Sequence, residues 1–182
     1  VDGWTGGRGI FSPLPELGTH VMVRDALPSE YGEVGRLRVG AYVAGGFMSS
    51  SSDYAPTLAA LGSAGDGQVL VAVDDGRLLG TVMLQAWPHA GRVVHQSDEA
   101  EIRALAVAPA GQGRGTGRAL LQAVIGRAAQ QGVRHLVLCT QPEMAAAHHL
   151  YEQAGFARLP ERDWSPVEGL TLIAYGLTLA GQ

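Results

Sequence analysis

Cysteine is nearly absent from this chain: Cys139 is the single one in 182 residues. One thiol excludes an internal disulfide and fits a reducing compartment such as the cytosol. With no CxxC pair and no HExxH motif, neither a structural nor a protease-type zinc site has support, and no metal is expected. Long apolar runs are missing too. Although 46% of the residues are apolar, no stretch approaches the roughly 20 that a membrane-spanning helix needs. The Gly/Pro-rich start, Val1 to His20, lacks the apolar centre of a secretory signal. No membrane partner is expected, and the expected location is cytoplasmic. Cations are in the minority: 13 Lys and Arg stand against 17 Asp and Glu, for a formal net charge of −4. That argues against a nucleic-acid-binding face and sits better with a neutral or cationic small substrate. What remains is a globular chain long enough for one domain with its own core.

Residues 1–19 read as an arm without hydrophobic period, although Trp4, Ile10, Phe11 and Leu14 are unlike a free tail. Residues 20–182 read as a single domain. Val21 to Arg24 is a strand, and Leu27 to Tyr42 a helix opening at Pro28-Ser29-Glu30, with Val34, Leu37, Arg38 and Tyr42 at helical spacing. A Gly/Ser-rich loop, Gly45 to Asp53, leads to a short helix over Tyr54–Leu61. Val69 to Val73 and Leu78 to Trp87 flank Asp74-Asp75-Gly76-Arg77, whose Asp-Gly step predicts a hairpin. After a polar connection, Glu101 to Ala108 is a strand closed by Pro109. Gly117 to Gln131 is a helix with Leu120, Leu121, Val124, Ile125 and Ala128 in one stripe, ended by Gly132. His135 to Thr140 is an apolar strand of the kind buried on both faces. Thr140-Gln141-Pro142-Glu143 has the capping-box pattern for the next helix, which ends at Gly155. Phe156–Leu159 and Leu170–Leu179 are the last two strands, joined by a Pro-rich loop that carries Trp164.

Between the strand closed by Pro109 and the helix from Gly117 lies Gln112-Gly113-Arg114-Gly115-Thr116-Gly117. Three glycines in five residues remove side chains where a helix opens, so backbone N–H groups and the helix dipole aim at one spot, a place for a phosphate or pyrophosphate. A glycine cluster here is also what an ordinary tight turn looks like, and the run alone leaves both readings open. A Walker loop would end in Gly-Lys-[Ser/Thr], but Arg118 follows Gly117; the glycine spacing does not fit a Rossmann fingerprint.

Three segments carry a resemblance: Glu101 to Pro109, Gln112 to Leu121, and Ala147 to Phe156 with its Leu150-Tyr151 and Gly155-Phe156. Together they resemble the GNAT (Gcn5-related) N-acetyltransferase superfamily, the second through its [Gln/Arg]-x-x-Gly-x-[Gly/Ala] loop and the third through its Leu-Tyr-x-x-x-Gly-Phe helix end. The resemblance implies an α/β (α+β) fold with a mixed, mostly antiparallel sheet of six to seven strands, a central splayed parallel pair and about four flanking helices. It implies acetyl-CoA as acyl donor and an acyltransferase that carries acetyl to a primary amine by direct attack in a ternary complex. On that reading the pyrophosphate takes N–H bonds from Gln112, Gly113, Arg114, Gly115, Thr116 and Gly117, with Arg118 beside them. Pantetheine runs along Leu105, Ala106 and Val107, and a backbone N–H near Val107 polarises the thioester carbonyl. Thr116 stands where the family often has Ile, and Met144 where many members have Asn.

Glu101 is the candidate general base, because an amine must lose a proton before it attacks. In a regular strand it shares a face with Leu105 and Val107; Glu99 is its rival. Tyr151 is the candidate general acid for the departing thiolate. Cys139 reads as a small buried hydrophobe, and the adjacent His148 and His149 as packing or surface residues, since neighbours on a helix cannot form an i, i+4 metal pair. Arg114 and Arg118 read equally as phosphate contacts or solvated charges. Tyr42, Phe47, Met48, Tyr54, Trp87, His89 and Trp164 are candidates to border the acceptor pocket. The acceptor is an amine-bearing small molecule, with a peptide N-terminus or lysine and a non-catalytic CoA sensor as alternatives. The sequence leaves the oligomeric state open, with a homodimer as one option.

Overall fold

The chain's apolar runs are strands of one eight-stranded sheet, covered by helices on both faces. The computed structural model describes residues 21–180; the expected arm over 1–19 lies outside them. The strands are β1 (Met22–Asp25), β2 (Gln68–Asp74), β3 (Arg77–Ala86), β4 (Glu99–Val107), β5 (His135–Thr140), β6 (Ala157–Arg158), β7 (Trp164–Val167) and β8 (Leu170–Thr178). Their spatial order is β1-β2-β3-β4-β5-β8-β6, with β7 on β8. Every pairing is antiparallel except β4 with β5. The helices are α1 (Tyr31–Ala44), α2 (Ala55–Ala60), α3 (Thr116–Gln130) and α4 (Ala145–Gln153).

Two cores result. β2 sends Leu70 and Ala72 to one face, where they meet Leu120, Leu121, Val124 and Ala128 of α3 and Tyr151 of α4. It sends Val69, Val71 and Val73 to the other, against Val34 of α1 and Leu58 of α2. This double coverage is why β2 and β3 read as continuous apolar runs and not as alternating ones. The β2–β3 hairpin turns on Asp75 (φ 46°) and Gly76 (φ 77°), the left-handed pair that an Asp-Gly turn supplies.

Two local expectations are corrected. Thr140 does not cap α4. It is the last residue of β5, a Gln141–Met144 turn follows (Met144 N–H to Gln141 O, 3.1 Å), and α4 begins at Ala145 without a side-chain cap. The loop expected around Trp164 holds a strand, β7. Pro166 disguises it in the sequence, but β7 is an edge strand paired only with β8, where a missing N–H is tolerated.

Candidate active site

Strands β4 and β5 begin as neighbours and then part. Glu99–Ile102 pair with His135–Leu138, and the pairing stops there. The divergence has a local cause in β4. Thr81 of β3 opposes Ala106 and Met83 opposes Arg103, so Ala104 and Leu105 together face Val82. This is a β-bulge, and Ala104 takes the left-handed φ of 50°. The extra residue bends the strand away from β5. It also resets the alternation of side chains: Ile102 and Leu105, three apart, both meet the α3 core, whereas Ala104 meets the α1 core. The expectation that Glu101 shares a face with Leu105 and Val107 is therefore corrected. Glu101 lies on the α1 side of the sheet, Leu105 and Val107 on the α3 side.

Past the bulge, β4 presents a free inner edge. The Ala108 N–H bonds to Leu79 O at 2.8 Å, across to β3. Successive N–H groups in a strand point to opposite edges, so the Val107 N–H points away from β3, into the gap.

The glycine run sits at the mouth of this gap. A tight turn at Pro109–Gly111 leads in, and the Gln112 N–H closes it on Pro109 O (3.3 Å). That removes Gln112 from the expected row of free donors, which starts at Gly113. Gly113 (φ 70°) and Gly115 (φ 75°) both hold left-handed backbone, a conformation that costs other residues roughly 1–2 kcal/mol. Thr116, buried, ties the start of α3 back to Gly111 O at 2.8 Å, which gives this hydroxyl a structural role an Ile could not fill. No side chain caps α3, and the first bond back into its N-terminus is Ala119 N–H to Gly115 O (2.9 Å). The N–H groups ahead of Ala119 are thus without intrahelical acceptors, at the positive end of a 15-residue helix. The Arg114 side chain pairs with Asp74, leaving its backbone N–H as its contribution to the row. Arg118 borders an open groove between α3 and α4, with Leu121, Ile125, Leu150 and Gln153; this groove does not include Glu101.

Glu101 is 8% exposed, and burial pushes its carboxyl above the usual range, against the nearby Arg103 and the Gly91 N–H. Oε2 accepts from Gly91 N–H at 2.9 Å, while Oε1 lies 3.8 Å from Arg103 Nε. Glu99, the rival, is fully engaged. It takes two bonds from Arg162 (2.7 and 3.0 Å) and one from His95 N–H (2.7 Å). Burial raises its carboxyl, but the Arg162 contact and the backbone bonds outweigh burial and hold it low. It pins the 93–99 segment to the turn at Pro160–Arg162, and Arg162 also reaches Val93 O (2.9 Å). Removing one partner of so buried a pair strands the other, so Arg162→Met is expected to lose about 3–5 kcal/mol of stability in urea unfolding at pH 7. Because the folded Glu99 pKa is lowered, its contribution is present above the unfolded carboxylate pKa and fades as pH falls through the folded one. The deficit of Arg162→Met should accordingly shrink in acid.

Tyr151 is buried on α4, with its ring 6.0 Å from Phe156 and 6.1 Å from Tyr175. Burial raises its hydroxyl pKa strongly, and the Tyr42 hydroxyl adds to the rise, so the two are electrostatic neighbours across the sheet. Tyr42 itself is pushed up to about 12, mainly by burial. Cys139, half-buried, ends up at about 11 for the same reason, consistent with an unreactive thiol. His148 packs on Tyr175 and bonds Gln141 O (2.9 Å).

The acceptor candidates divide. Tyr42 and Met48 pack in the α1 core beside Ala104, and Gln141 Nε2 reaches Phe47 O (3.2 Å), linking the loop after α1 to the end of β5. Trp164 influences Cys139, as does Glu101. Trp87 and His89 belong elsewhere, in a shallow recess with Gly65–Gln68 and Gln131. Sequence reasoning missed Arg38 as a site-side residue. Fully buried, it donates to Leu61 O (2.6 Å) at the end of α2, while its Nε and Nη2 have no partner. Burial drops its pKa to about 10. Its place within the apolar stripe Val34–Leu37–Arg38 was the available signal. Gln85 and Arg103 were missed as well.

The site is thus a parallel pair that opens around a bulge, with uncapped helix donors at its mouth. The model of the acetyltransferase (GNAT) family matches residues 36–156. A mycothiol acetyltransferase from Cellulomonas flavigena is 34% identical over 113 residues, covering 57% of this chain; the chain spans about a third (32%) of that relative's length. A solved GNAT-family acetyltransferase from Desulfovibrio desulfuricans has a TM-score of 0.69 at 26% identity, covering 88% of this chain and 99% of the other. The Salmonella typhimurium protein yncA, solved with acetyl-CoA, has a TM-score of 0.65 at 22% identity, covering 90% and 96%. The chain belongs to the GNAT acetyltransferase family. Among the described residues no helix is long and apolar enough to cross a membrane.

Proposed function

We propose that this chain moves the acetyl group of acetyl-CoA to a primary amine by direct attack, with Glu101 as general base and Tyr151 as general acid. The observation that carries the reading is the juxtaposition along one strand of a buried, half-bonded carboxylate and a free inner edge at Leu105–Val107, leading into the uncapped N–H row from Gly113 to Arg118. These residues fit the donor: the row suits a pyrophosphate, and the free edge suits an amide-bearing arm that pairs like an added strand. Bound acetyl-CoA supplies an activated acyl group with a thiolate leaving group. Glu101 takes a proton from the amine as its nitrogen bonds to the acyl carbon. The Val107 N–H stabilises the carbonyl oxygen as it gains charge, worth about 3 kcal/mol. Tyr151 gives its proton to the sulfur as the carbon–sulfur bond breaks.

We read the acceptor as a small molecule. The Cellulomonas relative is named for mycothiol and not for a protein. Residues 20–182 act as one domain in the cytoplasm on this reading. Tyr151→Phe tests the acid: turnover should fall about 100-fold while the rise in melting temperature given by acetyl-CoA stays as in wild type. Unchanged turnover removes Tyr151 from the mechanism.

A further inference from the structure

Six arginine–carboxylate pairs lie among the described residues, and four of them close as two-bonded forks: Arg24–Glu30, Arg127–Asp25, Arg158–Asp163 and Arg162–Glu99, all at 2.7–3.0 Å. Arg114–Asp74 makes one short contact. Arg103–Glu101 alone makes no hydrogen bond, standing off at 3.8 Å. An unrestrained guanidinium beside a buried carboxylate closes on it, because charge-assisted bidentate contact is the strong arrangement. Something holds Arg103 back.

The restraint is visible. Gln85, 2% exposed, is the cross-strand partner of Glu101. Its Nε2 donates to both the backbone carbonyl (2.9 Å) and Oδ2 (3.0 Å) of Asp66. With two acceptors on its nitrogen, the amide can present only its oxygen to the other side. There Oε1 accepts from Arg103 Nη1 at 3.1 Å. On the Glu101 carboxylate itself, Gly91 N–H fixes Oε2, which leaves Oε1 facing a cation held short of bonding.

We propose that Gln85, anchored by Asp66, is a positioning residue that holds the Arg103 guanidinium off Glu101 and so keeps Oε1 open to the proton of a substrate amine. This rests on the reading of Glu101 as the base. The arrangement satisfies two opposed needs: a nearby cation keeps a buried carboxylate ionisable, and a cation hydrogen-bonded to it would occupy the lone pairs that must accept the proton. The other titratable groups around the pair are Cys139 on β5, which senses both Glu101 and Arg103, and Arg38 and Tyr42 on α1, which sense Arg103. None of them hydrogen-bonds to Glu101, and Glu99 on the same strand is taken up by Arg162.

The test is a carboxyl-carbon NMR titration of Glu101 in protein labelled at glutamate, with the signal assigned through Glu101→Gln. Arg103→Met should move the midpoint up by about 1 pH unit. Gln85→Leu frees Arg103 to close the fork and should move it down by about 0.5 pH unit or more. The double variant should titrate as Arg103→Met does, because Gln85 acts only through Arg103. Simple loosening of the site lowers the midpoint in all three variants, and that result overturns the proposal. So does a Gln85→Leu midpoint equal to wild type. Gln85→Met serves in place of Gln85→Leu if the latter does not fold. The acid limb of kcat/KM should follow the same directions, with the Gln85→Leu plateau about tenfold lower. Wild-type turnover in Glu101→Gln removes the catalytic reading and with it the purpose assigned to Gln85. Loss of turnover there, with no midpoint shift in Gln85→Leu, overturns the positioning alone.

Discussion

Glu101→Gln lowers kcat/KM for amine acetylation by about 100- to 10,000-fold and leaves the melting temperature unchanged or higher. The loss of rate follows from the chemistry. Without a base the ammonium form of the acceptor persists, and positioned general bases contribute rate factors of that size. The retained stability follows from burial. The folded-state pKa of Glu101 lies above the unfolded one, so ionised Glu101 subtracts from stability at neutral pH, and the subtraction disappears as pH falls below the unfolded pKa. Glutamine keeps the shape, can still accept from Gly91 N–H, and carries no charge to desolvate. Steady-state kinetics and thermal unfolding at pH 7 check the pair of outcomes. Undiminished kcat/KM removes Glu101 from the mechanism; a large drop in melting temperature would mean that it is mainly structural.

Gly117→Trp should abolish the acetyl-CoA-induced rise in melting temperature, corresponding to an affinity loss of more than about 100-fold, or roughly 3 kcal/mol. A Cβ at Gly117 would already lie 3.3 Å from Leu150 Cδ2 and 3.7 Å from Val107 Cγ2. The indole beyond it has to enter the mouth between Val107 at the end of β4 and Leu150 of α4, across the N–H row that suits the pyrophosphate. Gly115→Ala is the milder comparison. Its Cβ meets nothing within 4 Å, and only the left-handed φ of 75° opposes it, so stability falls by about 1 kcal/mol and acetyl-CoA still binds. A wild-type thermal shift in Gly117→Trp contradicts the placement of the donor.

Much of this is legible in the residues. The Asp75-Gly76 hairpin, the β5 span from His135 to Thr140 and the apolar stripe of α3 follow from turn chemistry and periodicity, and the structure has them in place. The bulge is not legible. Arg103-Ala104-Leu105-Ala106 contains no glycine or proline to mark a left-handed residue, so β4 reads as an unbroken strand and Glu101 falls on the wrong face. Its correct face depends on register with β3, which is a tertiary fact. The line from Asp66 through Gln85 to Arg103 is hidden for a related reason. A lone Gln in the run Leu78–Trp87 has no pattern of its own and acquires meaning only through a loop residue 19 positions away. Trp87 and His89 stand with Trp164 in the sequence as candidates to border the acceptor pocket, but the fold puts Trp87 and His89 in a recess that Trp164 does not line.

The sharpest single measurement is acetyl transfer itself, followed by thiol release and by intact-protein mass together. The chain contains no lysine among its 182 residues, so stray acetylation of side-chain amines does not confuse the mass. Incubated with acetyl-CoA and a panel of primary amines, the protein should release coenzyme A thiol only in the presence of an accepted amine, in equal amount to N-acetylated product, with its own mass unchanged. Thiol release without amine accompanied by a stable gain of one acetyl group on the protein, or no release with any amine at millimolar acetyl-CoA, would contradict direct transfer at Glu101.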